Sequence, residues 1–252
     1  MAEHLRLSRR ALLRRGVQSA LLLASGSALL TGCASSGYSS GGSGLPSPLW
    51  PADGATEDRG LAQRAPWKPL EKDQFSIPAG VIPRSRWARG EPIPARMTRA
   101  DRPFTRITVH HDGMSAFTST SEEDAARRLE SIRQAHLGRR PEPFGDIGYH
   151  YLIDPAGRVW QGRPTAWQGA HVSRQNPGNL GICMLGNFNQ QAPNGAQMAA
   201  LNHFVAEQMH RYNVAARNVY THQELMPTAC PGRSLQRYMV DARRPGGAIA
   251  MA

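Results

Sequence analysis

Two histidines and a cysteine carry the chemistry that this sequence could perform. His110 stands near the end of Ile107-Thr108-Val109-His110-His111-Asp112, His222 follows Val219-Tyr220-Thr221, and Cys230 lies in Thr228-Ala229-Cys230-Pro231-Gly232. Imidazole nitrogen and thiolate sulfur are zinc ligands, and a catalytic zinc site keeps three protein ligands and one open position. A His-His pair alone reads more readily as structural, and a His and a Cys eight residues apart is a weak pattern. The loop between them is kinked by Pro227 and Pro231, which lets it fold back onto one metal. Side chains alternate along a strand, so Thr108 and His110 share one face and Ile107, Val109 and His111 the other. That alternation selects His110 as the ligand and leaves His111 to packing. A structural zinc site would need a fourth protein ligand, and His111, the one close candidate, points the wrong way.

The elements that must position these residues follow from periodicity. Phe104 to His110 reads as a strand. Ser121-Glu122-Glu123-Asp124 resembles a capping box, and Ala125, Leu129, Ile132 and His136 then fall on one helical face, away from Arg127, Arg128, Glu130 and Arg133. Pro141 and Pro143 bar continuation of that helix. Tyr149 to Ile153, a turn at Asp154-Pro155-Ala156-Gly157, and Arg158 to Gly162 form a strand, turn, strand pattern. Asn179 to Leu185 is an unbroken apolar run that suits a central strand, with Cys183 in it as a small buried hydrophobe. A second helix is expected over residues 195–212, burying Met198, Leu201, Val205, Gln208, Met209 and Tyr212 and leaving His203 and His210 at the surface. Val219 to His222 is a last short strand running into a loop. This interleaving predicts an α/β fold, a single domain with a mixed central β-sheet flanked by helices. No phosphate-binding glycine loop and no G-x-S-x-G elbow is present.

Outside that domain the chain reads as an address and a spacer. Residues 1–33 pair a basic start, with Arg9 and Arg10, with a short apolar run ending in Leu30-Thr31-Gly32-Cys33. This fits a cleaved export signal, by the twin-arginine or the general secretory route. The last four residues resemble a bacterial lipobox, which makes Cys33 the expected lipidation site and the membrane a partner through its acyl chains. The absence of aspartate after Cys33 leans towards the outer membrane. The expected location is the cell envelope, facing the periplasm. Residues 34–77 are a Ser/Gly/Pro-rich tether, 78–245 the globular domain and 246–252 a disordered tail. The formal net charge of +11 favours a polyanionic setting, and the lack of a lysine-rich run or aromatic-basic module argues against nucleic acid. Three cysteines make no disulfide framework.

Several motifs, in order, resemble the zinc-dependent N-acetylmuramoyl-L-alanine amidases of the peptidoglycan recognition protein and phage T7 lysozyme type. They are Ile107 to His111, Asp146-Ile147-Gly148-Tyr149-His150, Gly157 to Arg163, Gly169-Ala170-His171 with Asn176, Leu180 to Phe188, His222-Gln223-Glu224, and Thr228 to Gly232. The resemblance spans about residues 80–240. It implies Zn²⁺ as cofactor on His110, His222 and Cys230, and Tyr149 and Thr228 as catalytic residues. It implies a monomer acting on peptidoglycan or muropeptides at the bond between N-acetylmuramic acid and L-alanine. His171, Asn176 and Arg163 are the expected substrate-binding residues. His171 reads equally as a loop histidine, and Arg163 and Arg174 equally as solvated charge. His150 is expected to be structural, and Glu224 to steady the loop after His222. The chain departs from some family branches at Cys183, where they carry an acidic residue, and at Thr228, where others carry lysine. The alternative is a non-catalytic peptidoglycan-binding lipoprotein.

Overall fold

The computed structural model describes residues 75–251, so the export signal, Cys33 and nearly all of the tether lie outside the described residues. Two short 3₁₀ turns, Arg84–Arg86 and Pro94–Arg96, come first. They are followed by β1 (Arg106–His111), α1 (Glu122–Leu137), β2 (Tyr151–Ile153), β3 (Val159–Gln161) and β4 (Asn179–Met184). Then come α2 (Gly195–Tyr212), β5 (Val219–Thr221), α3 (His222–Leu225) and α4 (Arg233–Ala242). The strands form one sheet in the order β3-β2-β4-β1-β5. Within it the β2–β3 hairpin is antiparallel, and the other pairings are parallel. The fold is therefore the mixed α/β domain that the pattern predicts. β4 takes the centre, as its continuous apolar run requires of a strand covered on both faces.

The two faces of the sheet are covered by different helices. Ile107, Val109, Leu180, Ile182 and Met184 pack with Leu201, Phe204 and Val205 of α2 and with Leu235 and Met239 of α4. Leu152, Trp160 and Cys183 pack with Ala125, Leu129 and Ile132 of α1. His110 aligns with Cys183 in the β1–β4 register, which sets its side chain on the α1 side.

Four local expectations need correction. Ser121 does cap α1, its hydroxyl accepting from Asp124 N–H at 3.3 Å. Asp124 does not reach back to complete the box, because its carboxylate takes Ser119 and Arg127 instead. Glu130 and Arg133 lie off the apolar face of α1 yet are buried, paired at 2.8 Å. The loop after Thr221 begins with a helical turn, α3, and α4 has no counterpart among the expected elements. Finally, the tail is not free of the domain. Ile249 is fully buried in the core, and its N–H bonds to Ala242 O at 2.8 Å.

Candidate metal centre

The parallel pairing of β1 with β5 sets Val109 opposite Thr221. The next residue after each is a histidine, His110 still on β1 and His222 at the start of α3, and the two meet with ring centroids 4.7 Å apart. The loop after α3 returns Cys230 to the same point, its Sγ lying 3.5 Å from His110 Nδ1. One ligand atom from each of the three residues lies within 4.8 Å of the others. Two imidazole nitrogens and a sulfur form a donor set suited to zinc-like ions rather than to magnesium or calcium. His222 Nε2 is buried and has no hydrogen-bond partner among the described residues. Leaving such a group unsatisfied costs about 1–3 kcal/mol, and a cation at the convergence point would satisfy it.

The electrostatics hold the two imidazoles, but not the thiol, in the ligating form. Burial drives the His110 pKa well below its ordinary value, with His171 and His222 nearby adding to the effect. Burial also lowers that of His222. Both rings are thus neutral with a lone pair to offer. Burial pushes the Cys230 thiol up to about 12, against the opposing hydrogen bond from His111 N–H. A cation binding there must displace the thiol proton, which couples its affinity to pH.

Each ligand is braced. His110 Nε2 lies 3.0 Å from His171 Nδ1, and His171 Nε2 lies 3.1 Å from Asn179 O. Cys230 Sγ accepts from His111 N–H at 3.4 Å, and Gln223 N–H donates to Cys230 O at 2.9 Å. At His222 the brace is Glu224, which accepts from Thr221 N–H at 2.8 Å, from Gln236, and from Arg243 on two nitrogens. Glu224 thus steadies this turn as expected. Gln236 and Arg243, on and just beyond α4, escape a sequence reading together with that helix.

The other candidates separate into those at the site and those beneath it. Tyr149 stands beside His110, ring centroids 5.1 Å apart. Burial raises its phenol well above the usual range, so the hydroxyl stays a neutral donor. Thr228 is exposed, and its hydroxyl accepts from Cys230 N–H at 3.3 Å, closing the turn that presents the cysteine. His171 is buried against His110 rather than open to a groove. Asn176 Oδ1 accepts from the N–H groups of His171 and Val172, both at 3.0 Å, and so shapes the His171 turn.

Arg163 is not available as a substrate contact. It is 2% exposed, and its guanidinium donates to the carbonyls of Ile147, Gln168 and Asp146 at 2.8, 2.8 and 3.1 Å. With its own N–H on Tyr149 O at 2.8 Å, it clamps the loop that carries Tyr149. Arg174 is exposed, at a left-handed φ of 60°. Asp146, in the same loop, is buried against Arg84 at 3.0 Å, a partner with no signal in the sequence.

Residues 100–233, more than half of the chain, match the N-acetylmuramoyl-L-alanine amidase family. The chain belongs to that family. A peptidoglycan-recognition protein of Drosophila simulans is 31% identical over 156 residues, 62% of this chain and 82% of that protein. The N-acetylmuramoyl-L-alanine amidase of Mus musculus is 29% identical over 161 residues, 62% of this chain and 29% of the mouse protein. The solved structure of bumblebee PGRP-SA superimposes with a TM-score of 0.57 at 23% identity, covering 64% of this chain and 93% of that one. The ectodomain complex of recognition proteins LCa and LCx, solved with tracheal cytotoxin bound, matches with a TM-score of 0.55 and 26% identity, covering 62% and 92%.

Membership of the amidase family makes the function of this chain peptidoglycan-related. The amidase domain keeps Tyr149 beside the His-His-Cys cluster. It also carries a neutral residue, Cys183, on the α1 side of β4. Burial raises that thiol well above its usual range, so it cannot supply a carboxylate's charge.

Proposed function

We propose that this chain hydrolyses the amide bond between the lactyl group of N-acetylmuramic acid and the L-alanine of the stem peptide. His110, His222 and Cys230 would hold the cofactor, a zinc ion, through two imidazole nitrogens and the thiolate sulfur. The observation that carries this reading is the convergence of three ligand atoms within 4.8 Å, with the buried His222 Nε2 unpaired. When bound, zinc supplies Lewis acidity to the amide carbonyl and to the attacking water. The protein's own part is positioning and charge stabilisation. Tyr149 keeps its proton and donates a hydrogen bond to the carbonyl oxygen as negative charge develops there. Arg163 and the Asp146–Arg84 pair hold the Tyr149 loop, which fixes the direction of that donor. Thr228 shapes the Cys230 turn from the rim of the site.

The family, and the tracheal cytotoxin bound by the LCa–LCx ectodomains, support this substrate class. Stem peptides carry carboxylates, and the basic balance of the chain, +11, favours such anionic material. The domain is proposed to work as a monomer, tethered through lipidated Cys33 on the periplasmic side of the envelope, at the outer membrane. Among the described residues no helix is long and apolar enough to cross a membrane.

The test is a digestion of purified murein with the full chain, before and after zinc loading. One equivalent of zinc and zinc-dependent release of soluble stem peptides support the proposal. Murein bound without any release would instead indicate a non-catalytic binding protein.

A further inference from the structure

We propose that His171 is a positioning residue for the metal centre: it fixes the tautomer of His110, so that Nδ1 is left bare towards His222 and Cys230. This rests on the reading of His110 as a metal ligand, and it assigns His171 a role other than groove contact.

The assignment follows from a chain of hydrogen bonds that starts at a backbone carbonyl. Asn179 O can only accept, so His171 Nε2, 3.1 Å away, must carry a proton. A neutral imidazole has one N–H, so His171 Nδ1 is an acceptor. The ring is buried, and its two nitrogens face only Asn179 O and His110 Nε2, neither of them an anion. His110 Nε2, 3.0 Å from that acceptor, must then be the donor. With its one N–H on Nε2, His110 keeps a free lone pair on its remaining nitrogen, Nδ1. That nitrogen is the one 3.5 Å from Cys230 Sγ. The reverse polarity would set two acceptors, His171 Nε2 and Asn179 O, against each other in a buried site.

The ring of His171 is held in place by more than these bonds. A Cβ on Gly169 would lie 2.3 Å from its Cδ2, and one on Gly181 2.6 Å from the same atom. Both neighbours must be glycine for the ring to fit between the 169–171 turn and β4. Asn176 fixes the backbone of the turn through the N–H groups of His171 and Val172. His150, the next ring along, is fixed independently. Its Nδ1 accepts from Gly181 N–H at 3.0 Å, so its Nε2 donates to Trp167 O. It therefore does not compete for either nitrogen of His171. Ligating histidines generally donate their second N–H to a fixed acceptor, and loss of that acceptor lowers metal affinity about 10- to 100-fold.

Two measurements on the full chain test this. The first is the ¹⁵N chemical shifts of the histidine rings in the metal-free protein. They should show His110 protonated at Nε2 and bare at Nδ1, and His171 protonated at Nε2. A His110 protonated at Nδ1 overturns the proposal, whatever the activity of the protein. The second is zinc affinity by chelator competition. His171→Ala should bind zinc about 10- to 100-fold more weakly, and His171→Gln, whose amide oxygen can still accept, should recover part of the loss. Unchanged affinity in a folded His171→Ala protein overturns it. A wild-type chain that binds no zinc overturns the metal reading of the site, while the ring shifts still decide the role of His171.

Discussion

Val109 and Thr221 are partners across the parallel β1–β5 pairing, and each is followed by a histidine whose ring faces the other. His110 is thus set within the sheet and His222 one residue beyond it, while Cys230 depends on a loop. A one-residue slip of β1 would carry His110 to the opposite face of the sheet. His110→Ala or His222→Ala should therefore abolish stoichiometric zinc binding while leaving a folded domain. Metal analysis beside circular dichroism checks this. Cys230→Ser should weaken zinc rather than relocate it. Retention of one tightly held zinc by His110→Ala would contradict the site.

Tyr149→Phe removes one hydroxyl and keeps the ring that packs against His110. If the phenol donates to the developing oxyanion, kcat should fall about 10²- to 10³-fold, as for loss of one oxyanion donor. Zinc content and KM should change little. Steady-state kinetics on soluble muropeptides separate the two constants. A large rise in KM at unchanged kcat would make Tyr149 a binding residue only.

Arg163 offers a contrast between a structural and a substrate role. Arg163→Lys keeps the charge but cannot reach three carbonyls in a fork. The carbonyls of Ile147, Gln168 and Asp146 would lose donors in a buried loop, a cost of about 1–3 kcal/mol. The expected result is a lower Tm and a lower kcat through misplacement of Tyr149. A variant of unchanged Tm with a raised KM would return Arg163 to the substrate.

Acid should destabilise the domain from a pH near neutrality. Burial takes His136 to about 4 and His150 to about 3, both below the ordinary 6.5. Their folded values are depressed, so the unfolded chain binds protons that the folded one refuses. Stability is complete above about 6.5 and is lost as pH falls towards 4 and 3, each tenfold difference in proton affinity between the two states being worth about 1.4 kcal/mol. Glu130, held near 2 by Arg133 and Gln134 against its burial, adds a loss between 4.5 and 2. Urea midpoints of the metal-free chain should be flat above about pH 7 and fall steadily below about 6.5. Constant midpoints down to about pH 4 would contradict this.

Much of the site is legible in the sequence, for reasons that differ by residue. Strand alternation alone separates His110 from His111, and the structure keeps that separation. His111 stacks on Phe188 and accepts from its N–H, while His110 faces His222. Arg163 is not legible, because nothing local tells whether a guanidinium turns to solvent or inward to backbone carbonyls. His171 is legible as a site residue but not in its role, since its partner lies 61 positions away. Leu235, Met239 and Ala242 do carry the helical spacing of α4. The Pro-Gly pair before them masks that helix, and with it the arginine that anchors Glu224. Ile249 shares a Gly/Ala tail with only one other large apolar residue, Met251, too little for a pattern, and only tertiary packing reveals it.

The central claim concerns one bond, and mass spectrometry of murein digested by the zinc-loaded full chain tests it most directly. The account predicts free stem peptides with an L-alanine amino terminus, glycan strands with unsubstituted lactyl groups, and neither product with His110→Ala. Murein whose lactyl–alanine bonds remain intact after exposure to the zinc-loaded chain would contradict it.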